Sequence, residues 1–520
     1  MKLVTAAQMK ELDRAVVVGR GIPALDLMER AGAAVARCAI AMIREGRLRP
    51  RVLLFAGKGN NGGDAFVASR HLQSGGVATR TILLARRGDV SRDALENLRR
   101  IEGAGGEVAT AETAGEIEAL KEGADSFDLV VDGILGTGMS GKVVGHLAEA
   151  ISLIRALRAT TIAIDIPSGL DATSGCVCGA AVRASATVTM GLPKTGMVVA
   201  DGPEHCGRIR VADIGLPEDL VHAVMGSGDL IVGQDLYGLF PPRARVSHKG
   251  DYGRVLVVAG SPGLTGAACL AAAAAMRSGS GLVTVAAPRS LNPVLEAKLT
   301  EAMTLPLPET AEGALGKKAG EEILRAAERF DIAVIGPGLS RCPETAEMVR
   351  RLVAVLPIPM LVDADGLNAL AGDAAVLKKA SAPVILTPHP GEMARLMGCE
   401  TSDLLKDRMG AASGFAAAHG VTLVLKGAQT IVAAPDGAAS MNATGNPGMA
   451  SGGTGDVLSG VIASLAGQGM KPLDAARAGV FVHGDAGDRA AALRGERGMI
   501  ASDIVDRIPD ALEALARGGW

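Results

Sequence analysis

Twice along this chain, short runs of aliphatic and β-branched residues alternate with longer helix-like segments, and that alternation leaves few folds open. In the first half the runs are RVLLFAG, ATRTILLA, FDLVVDGIL and TTIAIDIPSG, separated by segments such as GDAFVASRHLQSG and VVGHLAEAISLIRALR. Runs this short and this apolar suit strands buried on both faces, and the helices between them supply the crossovers that parallel pairing needs. A second series begins near residue 250 with YGRVLVVAG. It continues through GLVTVAAP, DIAVIGPG, MLVDADG, PVILTPHPGE, VTLVLKG and QTIVAAP, and closes in helices. The fold class is therefore α/β, in two domains, each a parallel sheet covered by helices on both sides. Prolines and broken periodicity between about 216 and 250 predict a linker, which places the domains at 1–225 and 235–520.

Composition narrows the function. A length of 520 residues with 48% hydrophobic content suffices for two large cores. A formal net charge of -3 gives no general attraction to nucleic acid or anionic membranes, and aromatics at 2% leave little for base stacking. Neither partner class is expected. The seven cysteines show no CxxC pair and no Cys/His ligand spacing. Cys176-Val-Cys178 reads as a surface loop rather than a metal site, and the odd count suits a reducing cytoplasm. The opening MKLVTAAQMKELDRAV lacks the apolar stretch of a signal peptide. TGAACLAAAAAM is too short to span a bilayer and is expected to be a buried helix.

The loops of the first half carry polar groups among glycines. GKGNNGGD, residues 57 to 64, fits G-x-G-x-x-G after a strand. A dinucleotide-binding reading expects an acidic residue after the next strand, but Arg86-Arg87 stand there instead. Asn60, Asn61 and Asp64 offer side-chain oxygens beside bare backbone. GTGMSGK, residues 136 to 142, fits the first part of a P-loop, yet Val143 replaces the Mg²⁺-binding hydroxyl. Its glycines can still cradle a diphosphate. Asp132 and Asp165 sit at strand ends, where the ligand crevice of an open parallel sheet lies. Asn61, Asp132 and Ser168 would offer oxygen atoms at neighbouring loop tips, a set of little net charge that suits a large alkali cation better than zinc.

In the second half, GGTGDVLSG, residues 452 to 460, presents glycines before an apolar helix. Free N–H groups at a helix start suit an anion, whereas the carboxylate of Asp456 repels one.

NNGGD, DGILGTGMSG, DIPSGLD and LPKTG resemble the YjeF N-terminal family of NAD(P)H-hydrate epimerases, from the MERAG segment to about residue 215. The resemblance implies a Rossmann-like three-layer sandwich that interconverts the R and S hydrates at the nicotinamide C6. It implies a K⁺ site at Asn61, Asp132 and Ser168. Substrate contacts are implied from Asn60, Asn61, Gly62, Gly63 and Asp64, from Gly136, Thr137, Gly138, Met139, Ser140, Gly141 and Lys142, and from Asp165. Asp165 is the first candidate acid or base and Lys194 of LPKTG the second; side-chain chemistry does not rank them.

GSPGLTGAA, GPGL, DADGLNAL, LTPHPGEMARL, LKGAQT and GNPGMASGGTGDVLSG resemble the YjeF C-terminal, ribokinase-like family of NAD(P)H-hydrate dehydratases, over about 245 to 515. A ribokinase-like three-layer sandwich is implied, with Asp456 as base for the C6 hydroxyl of the S hydrate and the adjoining N–H groups as anion hole. Loss of phosphate then restores the dihydronicotinamide. Lys426, Gly427, Ala428, Gln429, Thr430 and Gly455 are implied to hold the nucleotide. Ala267, Gly338, His389 and Asp456 would meet the hydrate, and Glu392 would organise Mg²⁺. Asp365 and Asn368 stay open between structural and substrate-facing roles. The resemblance favours ADP over ATP as donor, with AMP and phosphate as co-products, and a homo-oligomeric assembly. Two rivals remain: a vitamin or sugar kinase on the same fold, and a non-catalytic first half. The LTPHPGE and DADGLNAL loops speak against the first, and the intact Asn61, Asp132, Asp165 and Ser168 against the second.

Overall fold

A computed structural model describes residues 1–517 other than Arg47, Ser140, Met225 and Ser227. The chain divides into two compact units, Met1–Leu230 and Ile231–Trp520. The division falls inside the stretch read as a linker. That stretch holds short elements such as Glu218–Ala223, Gly228–Ile231, Gly233–Leu236 and Tyr237–Leu239, of three to six residues each, too short to show a hydrophobic period.

In the first unit seven parallel strands lie in the order Val108–Thr110, Ala78–Leu83, Arg51–Ala56, Leu129–Gly133, Thr160–Ile164, Ala186–Met190, Arg208–Ala212. Three of these, Val108–Thr110, Ala186–Met190 and Arg208–Ala212, were not legible in the sequence. They are short, and threonine or arginine interrupts their apolar run. Alternate side chains of Arg51–Ala56 serve different layers. Val52, Leu54 and Ala56 pack with helices Ala24–Gly46, Asn60–Ser74 and Arg92–Gly103, whereas Leu53 and Phe55 pack with helices Ala114–Ala119 and His146–Ala156. Each such fully buried Val, Leu or Phe contributes roughly 1.5–3 kcal/mol, so register is strongly specified.

The second unit repeats the plan. Its strands run Met303–Leu307, Leu282–Pro288, Arg254–Val258, Ile332–Ile335, Met360–Val362, Val384–Leu386 and Thr422–Leu425, all parallel. Thr430–Ala433 and Ala439–Asn442 then add antiparallel strands, which departs from the all-parallel expectation. The reason is length. Residues 426 to 429 are too few for a crossover, so the chain can only turn back on itself. The alanine-rich segment is the helix Thr265–Arg277, buried against the helix Thr454–Gly467. Among the described residues no helix is long and apolar enough to cross a membrane.

Candidate active site

In the first unit the strand order reverses between Arg51–Ala56 and Leu129–Gly133, and such a reversal opens a crevice at the carboxyl ends of the strands. The turn after Arg51–Ala56 packs tightly into it. A Cβ on Gly57 would sit 1.9 Å from the Ile134 carbonyl oxygen, so this glycine is demanded by close approach of two loops. The helix already begins at Asn60, with Asn61 buried in its first turn. Asn61 Nδ2 donates to the carbonyls of Leu135 at 2.8 Å and Ile164 at 2.9 Å, which reserves Oδ1 as its acceptor. Asp132 is 0% exposed. It accepts the Ser168 N–H at 2.8 Å, the Ser168 hydroxyl at 2.5 Å and the Ile134 N–H at 3.2 Å. Burial lifts its pKa to about 6 although the Ser168 hydrogen bonds pull it down. The three residues named for K⁺ are thus brought together. They form an oxygen set around a buried carboxylate that has no cationic partner among the described residues.

Gly136 to Met139 form an adjoining turn, in which the Met139 N–H donates to the Gly136 carbonyl at 3.1 Å. Gly138, Gly141 and Lys142 are exposed, and Ser140 lies outside the described residues. Arg86 pairs with Glu112 at 3.1 Å and Arg87 with Glu102, both at the surface.

Asp165 follows Thr160–Ile164 in the left-handed region, with φ 63°, a strained choice for a residue with a side chain. Its Oδ1 accepts the Met190 N–H at 3.0 Å, the Thr189 hydroxyl at 3.3 Å and the ammonium of Lys194. Lys194 is 0% exposed and also donates to Thr189 Oγ1 at 3.0 Å and the Met190 carbonyl at 3.1 Å. Backbone bonds from Val4 to Pro193 and from Thr195 to Val4 hold that loop. The two candidates for proton transfer are therefore one buried ion pair, not alternatives.

The second unit places its groups at the same end of its sheet. Lys426 follows Thr422–Leu425, and its Nζ lies 2.7 Å from Asp363 Oδ1 and 3.9 Å from Glu392 Oε2. Burial disfavours the Lys426 charge, but Asp363 and Glu392 outweigh it and raise its pKa. Ser459 donates to Asp363 Oδ2 at 2.6 Å. Asp456 stands in the first turn of Thr454–Gly467 and accepts no hydrogen bond from the described residues. Burial, with the charges of Asp363, Asp365 and Glu392 added, lifts its pKa to about 7, and Lys426 lowers it. The N–H groups of Thr454, Gly455 and Asp456 likewise meet no acceptor among the described residues. Orphan donors at a helix start make an anion site. A Cβ on Gly455 would lie 3.2 Å from Lys426 Nζ, so the two nucleotide candidates are neighbours. Gly338 and Ala267 also meet, a Cβ on Gly338 lying 3.3 Å from that of Ala267.

His389 caps the helix Pro390–Met397. Its Nδ1 accepts from Gly391 at 3.0 Å and Glu392 at 3.3 Å, while Glu392 Oε2 accepts the His389 N–H at 2.8 Å. Burial and the nearby Lys426 lower the His389 pKa, which keeps the ring neutral as an acceptor. Glu392, its own pKa raised by burial, is thus committed to the cap and faces Lys426. Asp365 accepts the N–H of Ser340 at 3.0 Å and the Asn368 amide at 3.2 Å, a loop-holding role. Residues 426 to 430 form a strained turn with Gln429 at φ 50°. Arg408 clamps it, donating to the carbonyls of Ala428 at 2.8 Å and Gln429 at 3.3 Å.

Asp363, Ser459 and Arg408 escaped sequence reading. The first aspartate of DADG ends a strand, and that position was its only signal. Ser459 and Arg408 had none, since each acts through a partner distant in sequence.

Each half of the chain matches a family of known proteins. Residues 24–196 match the family described as YjeF-related protein N-terminus, and residues 255–510 the family described as NAD(P)H-hydrate dehydratase. The bifunctional NAD(P)H-hydrate repair enzyme Nnr of Moorella thermoacetica is 45% identical over 515 residues, 99% of this chain and 97% of that protein. Its counterpart in Escherichia coli K12 is 36% identical, covering 93% of this chain and 88% of that protein. A solved structure of an ADP/ATP-dependent NAD(P)H-hydrate dehydratase from Bacillus subtilis, co-crystallised with ATP/Mg²⁺, is 32% identical. It covers 56% of this chain and 100% of its own, with a TM-score of 0.48.

Proposed function

The chain belongs to the bifunctional NAD(P)H-hydrate repair enzymes, and on that premise we propose which of its residues carry each step. The first unit epimerises the R and S hydrates, and the second dehydrates the S hydrate at the expense of a nucleotide. In the second unit Asp456 takes the proton of the C6 hydroxyl as that oxygen attacks the terminal phosphoryl group. The N–H groups of Thr454, Gly455 and Asp456 meet the charge that develops on the phosphoryl oxygens. Departure of phosphate from C6 and of a proton from C5 restores the dihydronicotinamide. The observation that carries this reading is a carboxyl with a pKa lifted to about 7 beside three N–H groups that meet no acceptor among the described residues. A base poised near neutral pH and a set of N–H donors aimed at a developing anion are what phosphorylation of an alcohol requires.

Lys426, with Asp363 and Ser459 fixing its ammonium, would hold the nucleotide phosphates, and Arg408 would keep the turn from Gly427 to Thr430 in shape for the base. ADP is the proposed donor, giving AMP and phosphate. Mg²⁺ would arrive with the nucleotide and neutralise phosphate charge; Glu392 is the carboxylate nearest Lys426 after Asp363. In the first unit Asn61, Asp132 and Ser168 would hold K⁺, whose charge would compensate the buried Asp132. Asp165, paired with Lys194, serves proton transfer in epimerisation. Seven unpaired cysteines support a reducing, cytoplasmic setting.

The test is recovery of the 340 nm absorbance from a mixed-epimer hydrate with ADP or ATP, Mg²⁺ and K⁺. Full recovery is expected for the wild type, none for Asp456→Ala, and fast recovery of the S fraction alone for Asp165→Ala. Accumulation of a phosphoester without absorbance would instead make the second unit a kinase.

A further inference from the structure

The crevice of the first unit holds more acidic groups than its ion pair uses. Asp64 lies in the second turn of Asn60–Ser74, is 8% exposed, and accepts no hydrogen bond from any described residue. A carboxylate with neither solvent nor donor is costly to bury, and a protonated carboxyl is not. Burial raises the Asp64 pKa well above the carboxylate range; Asp165 and Asp13 add to the effect and Lys194 offsets part of it. Asp165 stands in the opposite environment. A buried ammonium, a hydroxyl and a backbone N–H all converge on one of its oxygens. The two lie on adjoining segments of the crevice, since Asn61, one turn before Asp64, bonds the carbonyl of Ile164 beside Asp165; a buried carboxyl without a partner can give a proton where a carboxylate held by an ammonium can take one.

We propose that Asp64 is the general acid of epimer exchange and Asp165 its general base. The assignment rests on the crevice being the epimerase site. The hydrate is a cyclic hemiaminal, with C6 bonded to both the hydroxyl and the ring nitrogen N1. Asp165 takes the hydroxyl proton, the C6–O bond becomes a carbonyl, and the electron pair of the breaking C6–N1 bond passes to N1. N1 takes the proton of Asp64. The opened ring turns about C5–C6 and the same transfers run backwards onto the other face of C6. Each carboxyl ends as it began, and no oxidant or co-reactant is needed. Lys194 positions Asp165 and steadies its charge before the step. Asp13, on the helix Ala6–Arg14, is exposed as a residue, yet burial of its carboxyl lifts its pKa to about 6, so it is the rival proton donor that Asp13→Asn tests.

The experiment starts from pure R hydrate and follows formation of the S epimer by chromatography above the uncatalysed rate, using the full chain. Asp64→Asn, which keeps the volume and cannot supply a proton, is expected to lower exchange by ~100-fold or more. Dehydration of S hydrate by the same preparation stays at the wild-type rate and reports that the chain is folded. Asp13→Asn is expected to change exchange by less than about fivefold, as loss of one screened charge allows. The wild-type rate should also fall as pH rises through the titration of Asp64, and this limb should vanish in Asp64→Asn. Exchange retained in Asp64→Asn, or a limb that persists in it, would overturn the proposal while leaving the epimerase assignment intact. A wild-type chain that exchanges no epimers would overturn both.

Discussion

Replacing Asp456 by asparagine should stabilise the second unit while abolishing its chemistry. The Asp456 pKa stands at about 7 against an ordinary 3.8, chiefly through burial. Between those values the folded protein holds a proton that the unfolded chain releases. The group therefore favours folding at low pH, and this benefit is lost as pH rises through about 7. At about 1.4 kcal/mol per pH unit the displacement corresponds to ~4 kcal/mol. The loop opens to solvent, so about half of that, ~2 kcal/mol, is the expected cost of ionised Asp456 at pH 8. Asparagine bears no such cost. The assay is urea unfolding of the whole chain at pH 8 and pH 5, the transition of the second unit being the one that shifts on adding ADP. Asp456→Asn should be more stable at pH 8 by ~2 kcal/mol, with less than half of the gain left at pH 5. Dehydration should fall by about 10²- to 10⁴-fold. A variant less stable than the wild type at pH 8, or a gain independent of pH, would refute the reasoning. Stability given up at a working residue is a recurrent trade.

Burial holds the His483 pKa down to about 4, so on acidification the unfolded chain gains a proton that the folded one cannot take. Stability should drop by ~3 kcal/mol between about pH 6.5 and pH 4 on this account, and His483→Asn should flatten that part of the urea-midpoint profile. Lys194→Met leaves Asp165 charged and unpaired in a buried site, which should destabilise the first unit by about 3–5 kcal/mol. Adding Asp165→Asn should return most of that stability in a melting experiment without returning epimer exchange. Exchange should rise with K⁺ at constant ionic strength, and Asp132→Asn should remove this dependence; an unchanged K⁺ response in that variant would dismiss the site.

Much was legible from sequence because the decisive signals were local. Aliphatic runs of strand length between helical segments can hardly form anything but parallel sheets between helix layers, and the antiparallel end strands were the exception, forced by a four-residue connection. Asn61, Asp132, Asp165, Lys426 and Asp456 stood out as polar residues where strands end or helices begin, positions that open parallel sheets turn into crevices. Sequence alone also specified which glycines crowd those loops. Only the tertiary structure decided the partnerships. It joined Asp165 to Lys194, Lys426 to Asp363, Asp363 to Ser459, and Arg408 to the turn carrying Gln429, contacts across 20 to 96 residues of chain. It also turned His389 and Glu392 into the cap of a helix. A pKa or a proton's direction depends on what surrounds a group at a few ångströms, and that distance exists only once the chain has folded.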